Sequence, residues 1–381
     1  MTSSSLPPKI LLTGATGYVG GSVLHHLLNC ASLSSTFSSS PITVPIRGGP
    51  DRAARLTEAY GSRVRLVTIV SFDDVVTLTA LASQHDIVVN AGSGFHPPSA
   101  EALVRGLARR KALTGGRPVW MIHTSGCSNL ADKPLTGVSR PDKEWEDAHA
   151  EEAFEFEEAE DARDPYPQRT AELAVLRTGE ELGVKAVSVQ SPCIFGTGSG
   201  LFNRAGLMIP IMMGYVLRNG YGLTVGDGTG CIDYVHVADL ADIYVLCVLD
   251  VLERGGANLP TGRGGILFPT VGRTLTIEIP RKCLDIAFAT GNLPKEDGPP
   301  QKEVRKVSLE EAAETCAGNL DVTETGYAGH RKTRGTVARE RLGWSPVRLE
   351  EAWNGDFETE LKAALSGQRG LTMATCIAGT K

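Results

Sequence analysis

Short β-branched apolar runs recur through the first half of the chain, at residues 10–12, 42–46, 64–70, 87–89, 119–122 and 184–189. Between them the apolar spacing lengthens to a helical period over 51–60, 73–84, 99–113 and 168–182. The segment after residue 17 does the same, with Val19, Val23, Leu27 and Leu28 on one face. Regular strand–helix alternation predicts a parallel sheet covered by helices on both faces. Right-handed crossovers make that a doubly wound α/β fold. The Ser-rich stretch 32–40 reads as a loop. After about residue 190 glycine and proline become frequent, as in Phe195-Gly-Thr-Gly-Ser-Gly200 and Gly226-Asp-Gly-Thr-Gly230. These segments predict a smaller, irregular substrate lobe interleaved with the last strands. The expected division is a sheet domain over 9–190, its last elements plus the lobe over 191–366, and a loose tail over 367–381.

The first strand runs into Thr13-Gly-Ala-Thr-Gly-Tyr-Val-Gly20 and then into the first helix. Strand, glycine turn and helix together define a dinucleotide-binding context and make the domain Rossmann-type. Gly14 suits the tight turn, Gly17 a close approach of backbone to pyrophosphate, and Gly20 the packing of helix on strand. The free N–H groups of the helix N-terminus then meet the phosphates. The spacing is GxxGxxG rather than the commoner GxGxxG.

Bulk composition narrows the classes. The chain has 381 residues, 41% hydrophobic and 22% charged, which suits a globular protein with a large core. A formal net charge of -6 argues against nucleic-acid binding. No apolar run reaches the roughly 20 residues of a membrane span, and the N-terminus lacks the pattern of a signal peptide. A cytoplasmic enzyme with no membrane partner is expected. The eight cysteines form no CxxC pair, so they are expected to be reduced fillers, with no metal site. Residues 142–165 hold twelve acidic and two basic side chains, an insert with a local charge of -10. It reads as a solvated surface helix anchored by Trp145, Phe154 and Phe156, or as a lid that repels anions.

Further patterns join the glycine turn. Asn90-Ala91-Gly92 ends the fourth strand and His123-Thr-Ser-Gly126 the fifth. Tyr166 precedes Ala171-Glu172 on a helix, and Asp233-Tyr-Val-His-Val-Ala-Asp-Leu240 and Leu342-Gly-Trp-Ser-Pro346 follow later. Together these resemble the extended short-chain dehydrogenase/reductase superfamily, from about Lys9 to Trp353. A narrower likeness is to fungal NAD(P)-binding members whose tyrosine segment reads Tyr-x-Gln-Arg-Thr. The resemblance implies a small-molecule substrate and a nicotinamide cofactor. It places Gly14, Thr16, Gly17, Tyr18, Val19, Gly20, Asn90, Ala91, Gly92 and Pro192 at the cofactor. A homodimer is a further expectation.

In that superfamily a tyrosine exchanges a proton with the substrate oxygen, a serine or threonine holds the oxygen, and a lysine four residues after the tyrosine lowers its pKa. Here the tyrosine is Tyr166, and Thr124 or Ser125 is the expected hydroxyl, with Ser128 a further candidate. The lysine position is Thr170. Arg169 offers a cation one residue earlier, about 100° away around the helix. Pro165 and Pro167 set Tyr166 at the first turn. His96, Asn203 and Arg204 are candidate substrate contacts, with a structural role open for His96, and His236 reads as a packing residue.

The second strand ends in Arg47, where an NAD site carries an acidic residue. A guanidinium there can hold a 2′-phosphate, so NADP is expected, with Asp51 keeping NAD open. Asp73 and Asp74 follow the third strand, either at the adenine or as helix caps. The expected activity is an NAD(P)-dependent oxidoreductase acting on a carbonyl or alcohol group of a small metabolite. The alternatives are an epimerase or dehydratase that recycles NAD, and a regulatory protein that binds dinucleotide without turnover, which the missing lysine favours.

Overall fold

A computed structural model describes residues 7–368. The Rossmann half opens with β1 (Ile10–Thr13), α1 (Tyr18–Asn29), α2 (Ser34–Ser39), β2 (Ile42–Ile46), α3 (Pro50–Tyr60) and β3 (Val64–Thr68). It continues through α4 (Val75–Ala82), β4 (Ile87–Asn90), α5 (Pro97–Leu113) and β5 (Trp120–Gly126). Next come β6 (Glu144–Glu146), α6 (Ala150–Arg163), α7 (Pro167–Leu182) and β7 (Lys185–Ser191). The remainder comprises β8 (Cys193–Phe195), α8 (Met208–Asn219), β9 (Gly222–Val225), β10 (Cys231–His236), α9 (Val237–Arg254), β11 (Ile266–Leu267) and β12 (Gly272–Leu275). It closes with α10 (Glu278–Ala289), β13 (Val304–Val307), α11 (Leu309–Cys316), α12 (Leu320–Tyr327), β14 (Lys332–Arg334), α13 (Val337–Leu342) and α14 (Glu350–Leu365).

Seven strands form one sheet in the order β11-β7-β5-β4-β1-β2-β3, every pairing parallel. This is the expected doubly wound α/β Rossmann fold. The order reverses between β1 and β4, the crevice where such sheets bind ligands. Strands β1, β2 and β4 are buried at every position. That explains their unbroken apolar runs: both faces carry helices. One face packs Val23, Leu24 and Leu27 of α1 with Leu240, Ile243 and Tyr244 of α9. The other packs Leu103 and Leu107 of α5 with Leu173 and Leu176 of α7. A third core, around Tyr234, Trp353 and Phe357, belongs to the C-terminal lobe.

One expectation needs correction here. Residues 32–40 are not a plain loop: they hold a short helix whose Phe37, with Leu33, is driven into the core. The local composition is polar, but two apolar side chains three or four apart suffice to fold it inward. The acidic insert forms a surface helix anchored by its aromatics, as expected of the first of its two readings. Strand β6 pairs in parallel with β14, the Trp145 and Phe156 rings meet at 4.7 Å tilted by 43°, and Phe154 is fully buried. Six of the seven described cysteines are buried and all seven are free; Cys376 and most of the expected tail lie outside the described residues. No helix among the described residues is long and apolar enough to cross a membrane.

Candidate active site

The glycine turn sits at the strand-order reversal. Gly14 adopts φ +78°, and a β-carbon there would lie 2.1 Å from the Ala91 carbonyl oxygen. A β-carbon on Gly20 would lie 2.3 Å from the Gly14 oxygen. Both glycines are therefore needed by the fold itself. Gly17 differs: it caps α1 with extended backbone, and its missing side chain faces only the Gly14 oxygen at 3.2 Å. No side chain caps α1, so its first N–H groups stay available to an anion. These features fit a dinucleotide pyrophosphate.

Around this turn, Asn90 Oδ1 accepts from Thr13 Oγ1 at 2.7 Å, and its amide nitrogen meets His123 Nδ1 at 3.0 Å. Ala91 and Gly92 follow as backbone walls, with Phe72 and Thr13 packed against Gly92. Thr16 bonds through its carbonyl to the Asn203 N–H at 3.5 Å. The Tyr18 hydroxyl donates to the Gly196 carbonyl at 2.5 Å, so its side chain ties α1 to the segment after β8. Val19 packs on the core, and Pro192 is buried between β7 and β8.

At the end of β2, the Arg47 guanidinium lies 4.5 Å over the Phe72 ring. Arg52 donates to the Arg47 carbonyl at 3.2 Å. Burial, and then the Arg52 charge, lower the Arg47 pKa, with Asp73 partly opposing. Asp73 is exposed, and its carboxyl bonds Ser71 Oγ at 2.9 Å and His96 Nε2 at 3.0 Å. The hydrogen bond from Ser71, then that from His96, holds its pKa below the usual carboxylate value. Asp74 is the α4 cap, accepting from the Thr77 N–H at 3.0 Å.

Tyr166 stands at the N-cap of α7, with Pro167 at the first helical position, where a missing N–H costs nothing. It is 6% exposed and meets Phe95 edge-on at 5.9 Å. Its hydroxyl donates to Ser128 Oγ at 3.4 Å, and Ser128 donates in turn to Gln168 Oε1 at 2.5 Å. Tyr166 and Ser128 line a cavity of about 70 Å³ with Met208, Val322, Tyr327 and Arg331. A larger hollow of about 460 Å³, beside Asp147 and Arg341, shares no lining residue with it. Burial pushes the Tyr166 phenol above its usual value, outweighing Ser128, Arg331, Thr325 and Arg169, which pull it down.

The two expected hydroxyls turn elsewhere. Successive residues of β5 face opposite sides of a sheet that is covered on both. Thr124 Oγ1 therefore meets Tyr244 Oη of α9 at 2.6 Å, and Ser125 Oγ donates to Glu172 of α7 at 2.7 Å. Ser128, one short turn further on, is the hydroxyl brought to Tyr166. Thr170 also points away, donating to Asp161 at 3.0 Å and to the Tyr166 carbonyl at 3.1 Å. Arg169 does lie beside Tyr166, 5.7 Å over the ring, tied to the Asn129 carbonyl at 3.2 Å and the Asp164 carbonyl at 3.3 Å.

The candidate substrate contacts are also placed apart from this cavity. His96 caps α5 through Nδ1 and pairs with Asp73, the structural role left open for it. Asn203 Oδ1 accepts from the Ala205 N–H, and Arg204 Nε donates to the Gly198 carbonyl at 2.7 Å, both within the loop beside the glycine turn. His236 caps α9, and burial lowers its pKa to about 4. Gln168 and Arg331 were missed. Gln168 stands in the Tyr-x-Gln-Arg-Thr segment, and its side chain fills the space beside Gly126. Arg331 belongs to the basic run His330-Arg-Lys-Thr-Arg334, a signal that was available.

A doubly wound parallel sheet with a glycine turn at its crevice is the architecture of the short-chain dehydrogenase/reductase class. More particularly, the chain belongs to the NAD dependent epimerase/dehydratase family, whose sequence profile matches residues 10–258. It is 28% identical to the oxidase ucsJ of an Acremonium species, over 89% of this chain and 93% of that one. It is 21% identical to an uncharacterised Schizosaccharomyces pombe protein, over 89% and 95%. Among solved structures, the fold matches Streptomyces venezuelae DesIV, a dTDP-glucose 4,6-dehydratase with NAD bound, at TM-score 0.61 and 15% identity, covering 94% and 98% of the two chains. It matches the Bacillus cereus UDP-glucuronic acid 4-epimerase, in complex with NAD, at TM-score 0.56 and 13% identity, covering 94% and 99%.

Proposed function

We propose that this protein is an NAD(P)-dependent oxidoreductase that reduces a carbonyl group on a small metabolite, with Tyr166 as proton donor and NADP as the preferred cofactor. The observation that carries the reading is the buried Tyr166–Ser128 pair in the wall of a cavity. A bound nicotinamide would supply the hydride. The protein's own part is the proton. A phenol held above its ordinary pKa of about 10 stays protonated through the neutral range, so it donates to a substrate oxygen rather than withdrawing from one. Ser128 now accepts from Tyr166 and donates to Gln168 Oε1; in this reading its single proton turns from Gln168 to the substrate oxygen when substrate binds. Arg169 favours charge on Tyr166 only weakly against its burial.

Arg47 and Arg52 support NADP. Two neighbouring guanidiniums repel one another, and a 2′-phosphate between them would relieve that repulsion. The absence of a lysine at Thr170 favours a second reading, a dinucleotide-binding regulator without turnover. A panel of ketones and aldehydes with NADPH separates the two. The oxidoreductase consumes NADPH and loses that activity in Tyr166→Phe. The regulator binds NADPH and consumes none.

A further inference from the structure

Arg331, the residue just before β14, lines the Tyr166 cavity and is 8% exposed. Its Nη1 donates to the Thr325 carbonyl at 3.1 Å; its Nη2 donates to the Gly326 carbonyl at 3.2 Å and approaches the Met208 sulfur at 3.6 Å. Among the described residues no carboxylate lies within 4 Å of this guanidinium. The two carbonyls close the C-terminal end of α12, which supplies a partial negative charge of about half a unit. That does not balance a full buried cation, and an unpaired buried charge is costly. The other buried arginine of the site, Arg169, is equally without a salt bridge but stands outside the cavity lining. In the same wall the buried Tyr327 hydroxyl has only the weakly polar Cys316 thiol beside it. The remaining lining, Leu207, Met208 and Val322, is apolar.

We infer that Arg331 is an anion receptor, and that the substrate reduced at Tyr166 carries a carboxylate that pairs with it. A planar carboxylate matches the fork of one guanidinium, with Tyr327 Oη as a further donor. With Tyr166 and Ser128 taken up by the carbonyl, Arg331 and Tyr327 are left for the anion, a set that suits the two oxygens of a carboxylate. A cavity of about 70 Å³ holds the acid end of a small oxo acid and excludes a nucleotide-linked sugar. Leu207, Met208 and Val322 then cover the carbon chain. The inference rests on the oxidoreductase reading only in calling the anion part of a substrate.

The test uses binding alone, without cofactor or turnover. Calorimetry compares propanoate, its neutral isostere propanamide, and inorganic phosphate on the full chain. The wild type binds propanoate about tenfold or more tighter than propanamide, the size expected for a charge-assisted pair. In Arg331→Met that preference disappears, while the melting temperature holds or rises, because an uncompensated buried charge has gone. If Arg331→Met does not fold, Arg331→Lys carries the comparison: it keeps the preference but binds propanoate several-fold more weakly, because a point ammonium loses the fork. Equal binding of propanoate and propanamide by wild type overturns the assignment, as does an unchanged preference in Arg331→Met or, where only Arg331→Lys folds, propanoate bound by that variant as tightly as by wild type. Phosphate bound more tightly than propanoate overturns the carboxylate class. Carboxylate binding through Arg331, with no NADPH consumption on any carbonyl, would end the oxidoreductase reading and leave the receptor standing.

Discussion

Gly14 and Gly17 sit three residues apart in one turn, and the structure gives them opposite duties. A methyl group on Gly14 would stand 2.1 Å from the Ala91 oxygen and 2.7 Å from Gly92 Cα, both backbone atoms. The residue would also have to hold φ +78°, which costs an L-residue about 1–2 kcal/mol before any clash. Relieving the clash means moving β4 away from β1, so Gly14→Ala should lose roughly 3 kcal/mol or more of a total near 5–15 kcal/mol. A methyl on Gly17 meets only the Gly14 oxygen at 3.2 Å, with φ -88°. Its cost is that of alanine at an N-cap, about 0.5–1 kcal/mol. It would nevertheless occupy the approach of a pyrophosphate to the α1 N–H groups. Urea denaturation and NADPH calorimetry on both variants separate the roles. Gly14→Ala should unfold at clearly lower urea; Gly17→Ala should keep its midpoint nearly intact and bind NADPH at least about tenfold more weakly. A Gly17→Ala protein with wild-type affinity would refute the assignment of this turn to the cofactor.

Arg47→Asp should weaken NADPH by about tenfold to a hundredfold and NADH far less, since a charge-assisted pair is worth about 1.5–3 kcal/mol; equal losses in calorimetry would make Arg47 a bystander. Ser128→Ala should slow carbonyl reduction while Ser125→Ala leaves its rate near wild type, because Ser125 Oγ is committed to Glu172; the reverse ranking in steady-state assays would return the site to β5. Burial, with Asp356 alongside, pushes Glu360 up to about 7, and burial pushes Asp356 to about 6. An acid whose folded pKa is raised destabilises the fold once the pH exceeds its unfolded value. Stability should therefore fall between about pH 4.5 and 7, and Glu360→Gln should flatten that fall by about 1–3 kcal/mol in denaturation series across this range.

The fold was legible in the sequence because a doubly wound sheet writes itself locally. The run 42–46 coincides with β2, and each helix bounded by proline or glycine begins within a few residues of its expected start. The glycine turn was legible for the same reason: strand, turn and helix are contiguous. The tyrosine centre was only half legible. Tyr166 and Arg169 share one helix turn, so their neighbourhood could be anticipated. The choice among Thr124, Ser125 and Ser128 depends on which way β5 faces at its end and on the short turn after it. Spacing alone does not supply that. Arg331 lies 165 positions from Tyr166 and reaches the cavity only through the pairing of β14 with β6 and its bridge to Ile232. Asp73 and Asp74 illustrate the limit at single-residue scale, since one caps a helix and the other does not.

Single-turnover oxidation of NADPH with a panel of small carbonyl compounds, read at Tyr166 and in its phenylalanine variant, tests the central claim most directly. The wild type should consume NADPH on at least one carbonyl, at a rate nearly flat from pH 6 to 9 because burial keeps the phenol protonated across that range. Tyr166→Phe should bind NADPH as tightly and react about 10²–10⁴-fold more slowly, the usual worth of a positioned proton donor. Wild-type consumption that survives intact in Tyr166→Phe, or no consumption by wild type across the panel, would contradict the account.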